Sequence, residues 1–143
     1  MGYRYLEGLT QADVAFRAEG TDLAEMFRAA WQATLELMLP SASALEARER
    51  RRIALANPEV EMLLFDFLGE LVYHKDAEGL LLRLESLTVE GSPGAYRLEA
   101  QAAGEAADPA RHELGTDVKA VTLHRFSVER SPGGWAATVI LDV

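Results

Sequence analysis

Apolar residues recur along this chain with two periods, and the change from one to the other divides it. Tyr3 to Leu6 and Ala12 to Ala18 are short β-prone runs, the second alternating Val14, Phe16 and Ala18 against Asp13, Ala15 and Arg17. They predict two strands joined by a turn at Gly8-Leu9-Thr10. Leu23, Met26, Phe27, Ala30, Trp31, Thr34, Leu35 and Met38 then form a stripe at 3.6-residue spacing, which predicts a helix that stops before Pro40. Asp22 stands at its start with Glu25 three residues on, the spacing of a capping box.

Ser41 to Glu46 reads as a loop, and the weak alternation from Arg51 to Ala56 through Ile53 and Leu55 reads as a strand. Asn57 and Pro58 offer an N-cap and a first-turn proline for a second amphipathic helix. Val60, Leu63, Leu64, Phe67, Leu68, Leu71 and Val72 trace its apolar stripe, and it is expected to reach Lys75. From Leu80 the period becomes two. Leu80 to Glu90 and Ala95 to Glu105 flank Gly91-Ser92-Pro93-Gly94, a hairpin signal; Thr116 to Arg130 and Trp135 to Val143 flank Ser131-Pro132-Gly133-Gly134 in the same way. The elements predict an α+β fold, two amphipathic helices packed on a largely antiparallel β-sheet.

Composition narrows the function classes. The 143 residues are 49% hydrophobic and 26% charged, which suits one globular domain over residues 1–143. There are no cysteines, which excludes disulfide scaffolds, thiolate metal sites and cysteine nucleophiles. No segment offers the roughly 18 apolar residues of a membrane span, and no basic n-region precedes an apolar one, so a cytoplasmic protein is expected. The net charge of −9 opposes long-range attraction to phosphate backbones and favours cations as small partners.

Most catalytic constellations are missing: there is no phosphate-cradling glycine loop, no paired-histidine zinc helix and no nucleophile elbow. Of His74, His112 and His124, the last shares the apolar face of the alternation Val118, Ala120, Thr122, Phe126, Val128, which reads as a hydrogen-bonded core histidine rather than a base. Arg48, Arg50, Arg51 and Arg52 form the one basic cluster. Glu46 and Glu49 interleave with it and no aromatic accompanies it, so a solvated strand edge is expected rather than an RNA contact. Asp66 and Glu70, four apart on the second helix, read as a solvated face.

The C-terminus is more informative. The run from Trp135 to Val143 has no polar tail, and Asp142 is its one charged side chain, set beside the chain's own carboxylate. Two anionic groups confined to neighbouring positions repel, and a hard cation relieves the repulsion. Asp13 is a second acid within an apolar run. If its strand adjoins the last one, three oxygen donors converge in a set that suits Ca²⁺ or Mg²⁺.

Thr10-Gln11-Ala12-Asp13-Val14, Asp76-Ala77-Glu78-Gly79, Gly104-Glu105, Val118-Lys119-Ala120-Val121-Thr122-Leu123-His124 and the terminal Leu141-Asp142-Val143 stand in the order and spacing of the archease family, which the whole chain resembles. The resemblance implies an accessory protein, not itself an enzyme, that activates an RtcB-type RNA ligase in tRNA splicing and RNA repair. It implies help with guanylylation of the ligase and its multiple turnover, with RNA reached only through the ligase and no membrane partner. It also implies a divalent cation, calcium in the first instance with Mg²⁺ or Mn²⁺ as alternatives. The family's metal-binding positions fall on Asp13, Asp142 and Val143, and Lys119 and His124 match positions that are candidates for partner binding. One departure stands out: Thr10 and Gln11 occupy positions where typical members carry His-Thr. Two other classes remain as expectations to weigh, a small metal-dependent hydrolase using Asp13, Asp142 and His124, and a chaperone-like protein or RNA binder.

Overall fold

The computed structural model describes residues 2–6 and 13–143; the Gly8-Leu9-Thr10 turn, the Thr10-Gln11 departure and the first residue of the expected second strand lie outside the described residues. The chain runs β1 (Tyr3–Leu6), β2 (Asp13–Gly20), α1 (Leu23–Met38), a single 3-10 turn (Ala42–Ala44), β3 (Glu49–Asn57), α2 (Val60–Glu78), β4 (Leu80–Ser92), β5 (Ala95–Ala106), β6 (Ala120–Ser131) and β7 (Gly134–Asp142). The expected α+β arrangement is present, with one difference: the strands form two sheets. One is ordered β1-β2-β7-β6 and the other β3-β5-β4, every pairing antiparallel.

Both helices serve both sheets. The helix α1 packs on β1, β2 and β7 of one sheet and β4 of the other, while α2 packs on β6 and on β3, β4 and β5. Trp31, fully buried, joins the layers: its ring lies 4.7 Å from that of Phe67 on α2, and its indole N–H donates to the Leu82 carbonyl of β4 at 2.9 Å. A tryptophan is buried without penalty only when that donor is satisfied.

Helix ends follow local chemistry. Asp22 accepts the Glu25 amide at 2.8 Å, and the Glu25 carboxylate reaches back to the Thr21 hydroxyl at 3.0 Å. At α2 the expectation needs correction: Pro58 precedes the helix, Glu59 is the capping position, and Asn57 accepts the Glu59 amide at 3.0 Å. The helix runs past Lys75 to Glu78, where Gly79 at φ 67° caps it. That left-handed backbone is open to glycine at little cost.

The last hairpin also differs. Its first strand begins at Ala120 rather than Thr116, because residues 107–119 are held as an irregular strap by other elements. The amides of Gly115 and Thr116 donate to the Met38 and Leu37 carbonyls, which the C-terminus of α1 leaves without helical partners. A Cβ on Gly115 would lie 2.3 Å from the Leu37 oxygen, so only glycine passes here without displacing backbone. Within β6, Thr122 pairs with Ile140 and Ser127 with Thr138, leaving four residues opposite Val139 alone. Arg125 takes φ 52° inside this bulge. The bulge interrupts the period-two alternation: Leu123, His124 and Arg125 are exposed, while Phe126 packs against Phe65 of α2 with ring centroids 5.9 Å apart. The exposure of His124 overturns the core-histidine expectation.

Candidate functional site

Strand alternation decides which face the acids share. Val14 pairs with Leu141, Phe16 with Val139 and Ala18 with Ala137, and all of these but the half-buried Val14 belong to the core that the helices cover. The interleaved row, Asp13 opposite Asp142, Ala15 opposite Ile140 and Arg17 opposite Thr138, therefore faces away from the helices. Asp13 is half-buried and Asp142 exposed, and Ala120 flanks Asp142 on its other side. The expectation that the strand bearing Asp13 adjoins the last strand is met in the closest available form, direct opposition.

Directly opposed residues in an antiparallel pair hold their Cβ atoms about 4.5–5.5 Å apart, and like charges there destabilise the pairing. The terminus is tied down as well. Lys119 donates its amide to the Asp142 carbonyl at 2.8 Å, and the Val143 side chain packs against the core. Anchoring of this kind keeps a chain end from fraying. Among the described residues no three His, Cys, Asp or Glu side chains converge. The opposed Asp13 and Asp142 offer oxygen donors only, the kind that suits a hard divalent cation and no soft one.

Of the other candidates, Lys119 adjoins this row and His124 lies apart from it. Lys119 and His124 are exposed; Lys119 lies just before Ala120, while His124 sits in the bulge beyond Thr122. The general-base role weighed for His124 has no geometric support in this placement. Arg50, Arg51 and Arg52 lie on β3, an edge strand, and Arg48 just before it, and all four meet carboxylates: Arg48 with Glu46, Arg50 with Glu85, Arg51 with Glu78 and Arg52 with Glu99, at 2.6–3.2 Å. The solvated-edge reading accounts for them. Asp66 and Glu70 are half-buried on α2, Glu70 being 3.6 Å from His74.

A second polar cluster was not singled out for chemistry in the sequence. Glu105, 2% exposed, accepts the Glu46 amide at 2.6 Å and the Arg111 guanidinium, and His112 Nε2 lies 3.6 Å away. The Asp108 amide donates to His112 Nδ1 at 2.9 Å, which puts the imidazole proton on Nε2, facing the carboxylate. The cluster ties the strap to the loop before β3. Further along, the Lys75 ammonium reaches the Asp117 carboxylate and the Val118 carbonyl at 2.6 Å each and Asp76 at 2.8 Å. Burial alone lowers that ammonium's pKa, but hydrogen bonds to Asp117 and Asp76 outweigh it and raise it.

Two of these carboxylates have depressed pKa values. The Glu46 amide and then Arg111 hold Glu105 below its ordinary 4.5; Arg51 and then His74 bring Glu78 down to about 2. A carboxylate whose folded pKa is depressed contributes stability above its unfolded pKa and loses it as pH falls through the folded one. Stability is thus expected to fall as pH drops from 4.5 toward about 2. Arg51→Met is expected to flatten that slope, read by urea unfolding at stepped pH; an unchanged slope contradicts the assignment to Glu78.

Comparison with known proteins gives a consistent picture. The family described as the archease protein family (MTH1598/TM1083) matches residues 3–143. The chain is 35% identical over 133 residues to a protein archease of Pyrococcus abyssi, covering 92% of this chain and 93% of the relative. It is 33% identical over 144 residues to one of Methanosarcina acetivorans, covering 99% and 95%. The solution structure of protein 1598 of Methanobacterium thermoautotrophicum superposes with a TM-score of 0.83 at 32% identity over 99% of both chains. A crystal structure from Thermotoga maritima, described as an archease and possible chaperone, shares the fold with a TM-score of 0.61 at 17% identity, over 98% of this chain and 99% of that one.

Proposed function

This chain belongs to the archease family, and from that premise we propose that it is an activator of an RtcB-type RNA ligase that works through a divalent cation held at Asp13, Asp142 and the Val143 carboxylate. The observation that carries the site is the direct opposition of Asp13 and Asp142 across β2 and β7. Two like charges held opposite each other without compensation cost stability, and the arrangement is sensible when a cation offsets it. Calcium is the first expectation, with Mg²⁺ or Mn²⁺ as alternatives, since all the donors are hard oxygens.

The two aspartates and the terminal carboxylate fix the ion at one end of a rigid sheet. When bound, the ion supplies a positive centre able to polarise or orient oxygen ligands from a partner. Lys119 lies beside the site, its amide held by Asp142, and His124 projects from the β6 bulge; both are free to meet the partner. The ligase performs the chemistry and this protein organises it for guanylylation and repeated turnover. RNA is met only through the ligase, in keeping with the net charge of −9. No helix among the described residues is long and apolar enough to cross a membrane.

A chaperone-like reading, raised by the description of the Thermotoga relative, calls for a contiguous apolar surface. Among the described residues, the exposed large hydrophobics Tyr5, Tyr73, Leu114 and Leu123 sit on β1, α2, the strap and β6, one each, which is ordinary for a folded surface. The test is RNA joining by an RtcB-type ligase from the same source with GTP and divalent metal. Several products per ligase are expected with this protein present and about one in its absence. Equal yields in both cases contradict the activator reading.

A further inference from the structure

The strap that carries the chain to Lys119 also roofs a cavity. Met38 at the end of α1, Leu81 on β4, and Ala107 and Leu114 on the strap line about 300 Å³, together with Gly115 to Asp117 and Lys75. This is the lower bound of volumes that receive a small ligand, about 300–1,000 Å³, and suits one bulky side chain better than a cofactor. Met38 and Leu81 are buried, whereas Leu114 is 43% exposed at the mouth.

The charges around the mouth select the occupant. An anion is disfavoured, because all three Lys75 donors are already taken, by Asp117, Asp76 and the Val118 carbonyl. The Lys75 side chain is only 12% exposed, while Asp76 and Asp117 are 57% and 66% exposed. The positive charge is thus buried and the two negative ones face solvent. Glu113, next to Leu114 in the chain, is exposed as well.

We propose that this cavity is a docking pocket for a basic segment of a protein partner, which inserts one bulky apolar side chain beside Leu114 and lays its cations on Asp76, Asp117 and Glu113. The pocket deepens the activator reading, since the strap leads directly to the Lys119 amide held by Asp142. An apolar anchor in a pocket supplies affinity, and complementary rim charges supply encounter rate and orientation.

Two measurements test it. In ¹⁵N-resolved titrations with a lysine-flanked phenylalanine pentapeptide, the amides of Ala107 and of residues 114–117 are expected to shift. A glutamate-flanked counterpart and the Leu114→Lys protein are expected to show no such shift. In the joining assay, Leu114→Lys is expected to raise the concentration giving half-maximal stimulation by about tenfold or more with an unchanged plateau. Leu114→Ala, which only trims a partly exposed side chain, moves it in the same direction by less. Amides that stay in place with the lysine-flanked peptide, or Leu114→Lys stimulating at the wild-type concentration, overturn the proposal. Failure of the wild-type protein to stimulate at all is instead a failure of the activator reading, and the peptide titration then decides the pocket alone.

Discussion

In the absence of divalent ions, Asp142→Asn is expected to melt slightly above the wild type; with calcium present, the order reverses. The first half follows from the opposition of Asp13 and Asp142, where removing one of two like charges returns a few tenths of a kcal/mol. The second half follows from linkage. A ligand at a hundredfold its dissociation constant stabilises the state that binds it by about 2.7 kcal/mol, a rise on the order of 10 °C for a chain of this size. Asparagine keeps the shape of the side chain but supplies a neutral oxygen, so most of that gain is lost. Asp13→Asn is expected to behave in the same way. Scanning calorimetry with and without calcium reads both halves, and equal calcium shifts in wild type and variants contradict the assignment of the ligands.

Trp31→Ala is expected to cost about 3–5 kcal/mol. The side chain is fully buried between the helix layer and β4, it contacts the Phe67 ring, and its indole satisfies the Leu82 carbonyl. Total stabilities run to about 5–15 kcal/mol, so the variant loses a large share of the fold. Trp31→Phe separates the two contributions. It retains an aromatic ring against Phe67 but removes the donor, at a cost of about 1 kcal/mol or somewhat more. Urea unfolding of both variants measures the difference; an alanine variant within about 1 kcal/mol of the wild type contradicts the central role given to Trp31.

What was legible in the sequence was what depends on local spacing. The stripes from Leu23 to Met38 and from Val60 to Val72 are local periodicities, and both became helices. The turn residues at 91–94 and 131–134 specify hairpins through backbone preferences of a few adjacent residues, and both hairpins formed. Asp13 and Asp142 stood out because a charge in an otherwise apolar strand is conspicuous wherever the strand goes. Their opposition required β2 to pair with β7, a contact between chain ends that no local pattern encodes.

The remainder depends on contacts distant in sequence. Division into two sheets follows from how the helices pack, with each helix satisfying both. Nothing in the alternation of β6 announces four residues opposite Val139, so His124 was expected on the wrong face. Glu105 was visible only as half of a Gly-Glu pair. Its partners come from Glu46, Arg111 and His112, and their convergence is a property of the folded strap. The start of α2 misled for a local reason: Asn57 does cap with its side chain, but it bonds the Glu59 amide ahead of the helix, which displaces Pro58 from the first turn.

On the proposed function, the cation held by the acid pair is what the ligase requires. The most direct measurement is multiple-turnover RNA joining by the RtcB-type ligase across a range of calcium concentrations, with the wild-type, Asp13→Asn and Asp142→Asn proteins compared at equal folded concentration. Stimulation is expected from the wild type, and its loss, by about tenfold or more at limiting calcium, from both variants. Both variants stimulating like the wild type at every calcium concentration would contradict it.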